Sequence, residues 1–87
     1  MTHFHVDVWT FDETSLQFFQ ISNTTGERSV ALAAPYGALT QGQWISYDIP
    51  LTAWTSQSGF TTTALKEFKI VGSGGKTVYL DNMYFYR

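Results

Sequence analysis

Residues 2–9 read THFHVDVW, and this stretch decides the fold. Phe4, Val6 and Val8 fall on one side of an extended chain; His3, His5, Asp7 and Trp9 fall on the other. A period of two marks a strand with one face in a core and the other wet. The pattern continues outward. Thr10–Ser15 is polar and turn-like, and Leu16–Ser22 is a second strand. Asn23–Glu27 has the Asn, Thr and Gly chemistry of a hairpin turn, and Arg28–Ala33 is a short third strand. Ala34–Gln43 carries Pro35, Gly37 and Gly42 and reads as a loop.

Trp44–Ile49 alternates Trp44, Ser46, Asp48 against Ile45, Tyr47, Ile49, and Pro50 ends this fourth strand because it cannot donate to a ladder. Leu51–Thr55 reads as a turn or a one-turn helix and Ser56–Thr63 as a loop. Leu65–Val71 is a fifth strand with Phe68 and Ile70 inward. Gly72–Gly75 is a tight connection, and Thr77–Tyr86 is the last strand. In that strand Val78 and Leu80 are out of phase with Met83 and Phe85, so a β-bulge at Asp81–Asn82 is expected to restore the register. No segment carries a long, capped helical pattern. Strands at this spacing predict an all-β antiparallel sandwich or barrel. Its expected core is Phe4, Val6, Val8, Tyr47, Ile49, Phe68, Ile70, Val78, Leu80, Met83 and Phe85, with Trp44 and Trp54 structural.

At 87 residues the chain is one domain, spanning 1–87, with a single thin core. Hydrophobic residues make up 44% and charged residues only 14%, which excludes disorder and leaves a surface of Thr, Ser, Gln, Asn, Gly and aromatics. Such a surface suits neutral, hydroxyl-rich partners. The net charge is −2, and Arg28, Lys66, Lys69, Lys76 and Arg87 form no basic stripe, so nucleic acid is excluded as a partner. No apolar run approaches membrane-spanning length, so no membrane insertion is expected. No export signal is visible; a secreted parent protein would carry it elsewhere. The absence of cysteine excludes disulfides and thiolate metal sites.

Three constellations bear on chemistry. His3, His5 and Asp7 share one strand face and could ligate a metal only if three long side chains converged and a fourth ligand joined them. A solvated, cross-strand paired face or polar ligand contacts fit the same residues. The acids form no marked pair for glycoside hydrolysis: Asp12, Glu13, Glu27 and Glu67 read as loop or outer-face charges, and Asp48 as a turn cap. Nucleophile and phosphate-binding motifs are also missing, so the chain is not read as an enzyme. The aromatics remain. A pyranose stacks its C–H face on Trp or Tyr and its hydroxyls on Asn, Asp, His and Thr. Trp9, His5, Asp7, Tyr84 and Tyr86 are the expected sugar-facing set, with Tyr36 a further candidate.

THFHVDVWT, GQWISYDIPLTAW, LKEFKIVGSGG and TVYLDNMYFYR together resemble the C-terminal part of a bacterial carbohydrate-binding module of the type appended to laminarinases and related glycan-degrading proteins. The resemblance runs over nearly the whole chain. It implies a galactose-binding-like jelly roll that holds β-glucan or a related polysaccharide without catalysis. It further implies an extracellular, cell-surface or periplasmic setting within a larger bacterial protein. That family's domain is longer, with strands preceding Thr2. A structural calcium in related jelly rolls would fall at Asp81, with its other ligands in those earlier strands; no other cofactor is implied. Missing first strands would leave open edges and an uncovered apolar face, so a homo-oligomer is expected. The rival reading is a structural or assembly β domain that self-associates and binds no sugar. A small metal-dependent enzyme using His3 and His5 ranks third.

Overall fold

The computed structural model describes residues 1–61 and 65–87. The end of the expected loop Ser56–Thr63, at residues 62–63, lies outside them. Six strands and one helical turn follow in order: β1 His3–Thr10, β2 Leu16–Ser22, β3 Gly26–Ala31, β4 Gln43–Pro50, α1 Thr52–Thr55, β5 Leu65–Gly72 and β6 Val78–Tyr86. They form two three-stranded sheets, β4-β1-β6 and β3-β2-β5, with every pair antiparallel. The fold is therefore all-β and sandwich-like.

β2 and β3 are consecutive strands joined by a hairpin. The Ser22 hydroxyl accepts the backbone N–H of Thr24 and of Thr25 at 3.1 Å each, and Gly26 takes a φ of +84° that other residues resist. This tight turn starts β3 two residues earlier than expected.

The β1 alternation is realised in full: Phe4, Val6 and Val8 are buried in the core. Phe4 and Phe18 bridge the sheets with ring centroids 4.4 Å apart. Two large aromatics close the core, each with its polar tip satisfied, as burial demands. Trp54 of α1 donates its indole N–H to the Phe18 carbonyl at 3.3 Å, and the Tyr47 hydroxyl donates to the Leu32 carbonyl at 3.0 Å. Leu32, Leu51 and Phe60, from the segments after β3, β4 and α1, complete the cluster.

The side formed by β5 and β6 is open. Phe68, Leu80 and Met83 were expected in the core but are 41%, 42% and 49% exposed. They do point inward, lining a cavity of about 240 Å³ with Phe18 and Ile70. Both strands are sheet edges among the described strands. Ile70, Val78 and Phe85 are partly buried against the core.

The bulge falls where the sequence placed it. His5 pairs with Tyr84 and Asp7 with Asp81, so one residue of β1, Val6, opposes two of β6, Asn82 and Met83, and Asn82 sits at φ 50°.

Glu13, expected as a loop charge, is buried. Its carboxylate accepts the Ser73 hydroxyl at 2.7 Å, the Ser73 N–H at 3.0 Å, and the Thr14 and Ser15 N–H groups at 2.8 and 3.1 Å. The Ser73 hydroxyl is the largest of the effects that hold its pKa down to about 2; burial opposes them, and the backbone N–H groups add to it. Thr10 donates to the Thr77 carbonyl at 2.6 Å, and Asp12 accepts the Thr77 N–H at 3.1 Å. The β1–β2 and β5–β6 connections are thereby laced together at the Thr10 end of β1.

Candidate binding face

The outward residues of β4, β1 and β6 form a grid of rows running across the strands. Trp9 stands between Trp44 and Tyr79, Asp7 between Ser46 and Asp81, His5 between Asp48 and Tyr84, and His3 between Pro50 and Tyr86. Same-face rows on a strand are about 6.6–7 Å apart.

The middle of the grid is a closed polar cluster. His5 donates through Nε2 to Asp7 Oδ1 at 2.9 Å and through Nδ1 to Asp48 Oδ1 at 2.7 Å. Donating from both nitrogens requires the imidazolium form. The Asp48 hydrogen bond is the main cause of a raised His5 pKa; burial opposes it, and the charges of Asp48 and Asp7 add to it. Asp7 also accepts from the Asn82 amide and the Ser46 hydroxyl, each at 2.7 Å, and these two bonds are the chief reason its pKa is lowered. Asp48 is held low first by His5, and accepts the Tyr86 hydroxyl at 2.9 Å. That bond in turn raises the Tyr86 pKa. Tyr84 stacks on His5 at 4.8 Å, and Tyr86 on His3 at 5.3 Å.

The Thr10 end of the grid is aromatic. Trp9 lies 5.8 Å from Tyr79 and 6.1 Å from Phe11 between ring centroids. Trp44, Tyr79 and Phe11 are more than half exposed, and Tyr84 nearly so, whereas Trp9 is half-buried. Among the described residues the indole N–H groups of Trp9 and Trp44 and the hydroxyls of Tyr79 and Tyr84 make no hydrogen bond within the protein. They remain free to meet a ligand.

Five of the six expected site residues, Trp9, His5, Asp7, Tyr84 and Tyr86, meet on this face. Tyr36 does not; it packs against the core cluster from the β3–β4 connection. Sequence reasoning missed Trp44, read as structural, and Asp48, read as a turn cap. It also missed Ser46 and Asn82 as members. The Trp44, Ser46, Asp48 alternation already put three of these on one strand face; assigning that face required knowing that β4 pairs with β1.

His3, His5 and Asp7 do not converge as metal ligands. Both His5 nitrogens are taken by carboxylates, and His3 shares a hydrogen bond with Thr2. Asp81, where the resemblance would put calcium, accepts the Asn82 N–H at 2.8 Å. Among the described residues no group of three or more His, Cys, Asp or Glu side chains is arranged to hold a metal. No helix among the described residues is long and apolar enough to cross a membrane. Comparison with family models, with curated proteins and with solved structures gives no match.

Proposed function

We propose that this chain is a non-catalytic polysaccharide-binding module, β-glucan-like in preference and of the galactose-binding-like jelly-roll kind. Its setting would be a larger, extracellular or cell-surface glycan-degrading bacterial protein, where binding raises the effective concentration of the enzyme on its substrate. The observation that carries this reading is the outward face of β4-β1-β6. Exposed Trp44, Tyr79 and Tyr84 offer stacking surfaces with unused polar tips beside a fixed network of carboxylate, imidazolium and amide. Three of the carboxylates are unsuited to the acid role in glycoside hydrolysis. A glycosidase needs an acid whose pKa is raised, and Asp7, Asp48 and Glu13 are all held low.

The test is affinity electrophoresis in gels containing β-1,3-glucan, followed by calorimetry of Trp9→Ala. The parent should be retarded. The variant, confirmed to be folded, should bind more weakly by roughly 1–3 kcal/mol, the value of one aromatic stacking contact. Equal affinity in a folded variant would remove Trp9 from the site, and no retardation by any glycan would overturn the reading.

The open side between β5 and β6 favours a second property, association with another copy, and supports the rival reading of an assembly domain that binds no sugar. Phe68, Leu80 and Met83 are exposed there on inward strand faces.

A further inference from the structure

The outward face has two unlike halves, and they differ in what they leave for a ligand. In the polar half, His5 uses both nitrogens, and Asp7 accepts from His5, Ser46 and Asn82. That half is largely occupied with itself. The aromatic half, Trp44, Trp9 and Tyr79, has every polar tip unused.

The three rings stand in one row because Trp9 is in register with Trp44 on β4 and with Tyr79 on β6. Neighbouring strands are about 4.8 Å apart, so the row spans roughly 10 Å and crosses the strands. The backbone beneath it is fixed: Gly42 donates to the Thr10 carbonyl at 2.7 Å, and Thr10 donates to the Thr77 carbonyl at 2.6 Å. A preformed row of this kind costs little ordering on binding.

Charge selects the occupant. The grid holds three carboxylates, Asp7, Asp48 and Asp81, and β1, β4 and β6 contain no Lys or Arg. Uronate or sulfate groups would meet like charge with no lysine or arginine to pair with, since the His5 ring is already held by Asp7 and Asp48, and phosphate-bearing polymers would fare the same. A neutral sugar has no such penalty, and its C–H faces match exposed rings.

We propose that the row Trp44–Trp9–Tyr79 is the primary glycan subsite, that the ligand is an uncharged polysaccharide lying across the strands, and that the His5 cluster is the floor that holds the face rather than the contact surface. This rests on the glycan-binding reading and assigns the subsite and ligand class within it.

The test uses the full chain with two probes, a soluble neutral β-1,3-glucan and the same polymer with its primary hydroxyls oxidised to carboxylates. Trp44→Ala and Tyr79→Ala remove exposed rings and should leave the fold intact by circular dichroism. Each should weaken binding of the neutral polymer about 5- to 150-fold, the range for one stacking contact. Tyr84→Ala should have the smaller effect, and the oxidised polymer should bind at least tenfold more weakly than the neutral one. As a readout on the parent alone, bound neutral polymer should shield tryptophan fluorescence from a soluble quencher, since Trp54 is already buried and Trp44 is open. Parent-like affinity in Trp44→Ala and Tyr79→Ala, unshielded fluorescence under saturating polymer, or equal binding of the oxidised polymer would each overturn the inference while leaving glycan binding standing. A parent that binds neither polymer would overturn both.

Discussion

His5 is where the sequence's chemistry and the sheet's geometry meet. Its ring lies between two carboxylates on different strands, so the proton it carries ties β1 to β4 and, through Tyr86 on Asp48, to β6. The sign of the pH dependence follows. Because the folded pKa of His5 is raised, its contribution to stability is complete below the unfolded value of 6.5 and is lost as pH rises through the folded value. Asp7 and Asp48 are lowered, so theirs is present above the unfolded value of 3.8 and is lost as pH falls through their folded values. The cluster should therefore stabilise most between about pH 4 and 6.5. Thermal unfolding across pH 4–9 should show the parent's midpoint falling on the alkaline side. His5→Gln should be less stable at the acidic end of that range and should lose most of the alkaline decline. An alkaline limb of the same depth in the variant would show that another group is responsible.

At the scale of elements, position within a sheet decides what an inward residue is worth. Trp54 and Phe68 are both large aromatics, and both touch Phe18. Trp54 is wholly buried with its N–H satisfied, whereas Phe68 lies on an edge strand and is 41% exposed. Trp54→Ala should cost about 3–5 kcal/mol and come close to unfolding so small a domain. Phe68→Ala removes less buried surface and should cost clearly less; chemical denaturation of the two variants compares them directly, and equal losses would contradict the exposed placement of β5. The same distinction explains what was legible in the sequence. Alternation in THFHVDVW identified the strand, its buried side and its wet side, and the phase break in β6 identified the bulge, because both are local consequences of a period of two. Burial at Phe68, Leu80 and Met83 depends on what lies beyond an edge, which no local pattern records. Glu13 shows the same limit: a carboxylate in a polar turn reads as solvated until Ser73, 60 residues away, is known to donate to it. The candidate site divided likewise. Trp9, His5 and Asp7 follow from β1 alone, while Trp44, Asp48 and Tyr79 join them only through strand pairing.

For the whole molecule, the asymmetry between its two sides leads to a statement about assembly. The segments after β3, β4 and α1 bring Leu32, Leu51, Trp54 and Phe60 into the core, whereas the inward faces of β5 and β6 leave Phe68, Leu80 and Met83 about half exposed around a cavity of about 240 Å³. Both strands are also edges, with one partner each among the described strands, β2 and β1, so each presents a row of backbone groups to solvent. Apolar surface beside open edges is a combination that soluble proteins usually cover. A second copy supplies an identical apolar face and identical edges, and pairing about a two-fold axis would let each copy cover the other. Light scattering at micromolar concentration should therefore give a mass near twice the 9.8 kDa of the chain. Met83→Glu places a charge in the centre of the exposed apolar face, where burial without a partner is costly, and should shift the population towards monomer. A parent that stays monodisperse at 9.8 kDa and unfolds cooperatively would refute self-association and leave the outward aromatic face as the one surface in need of a partner.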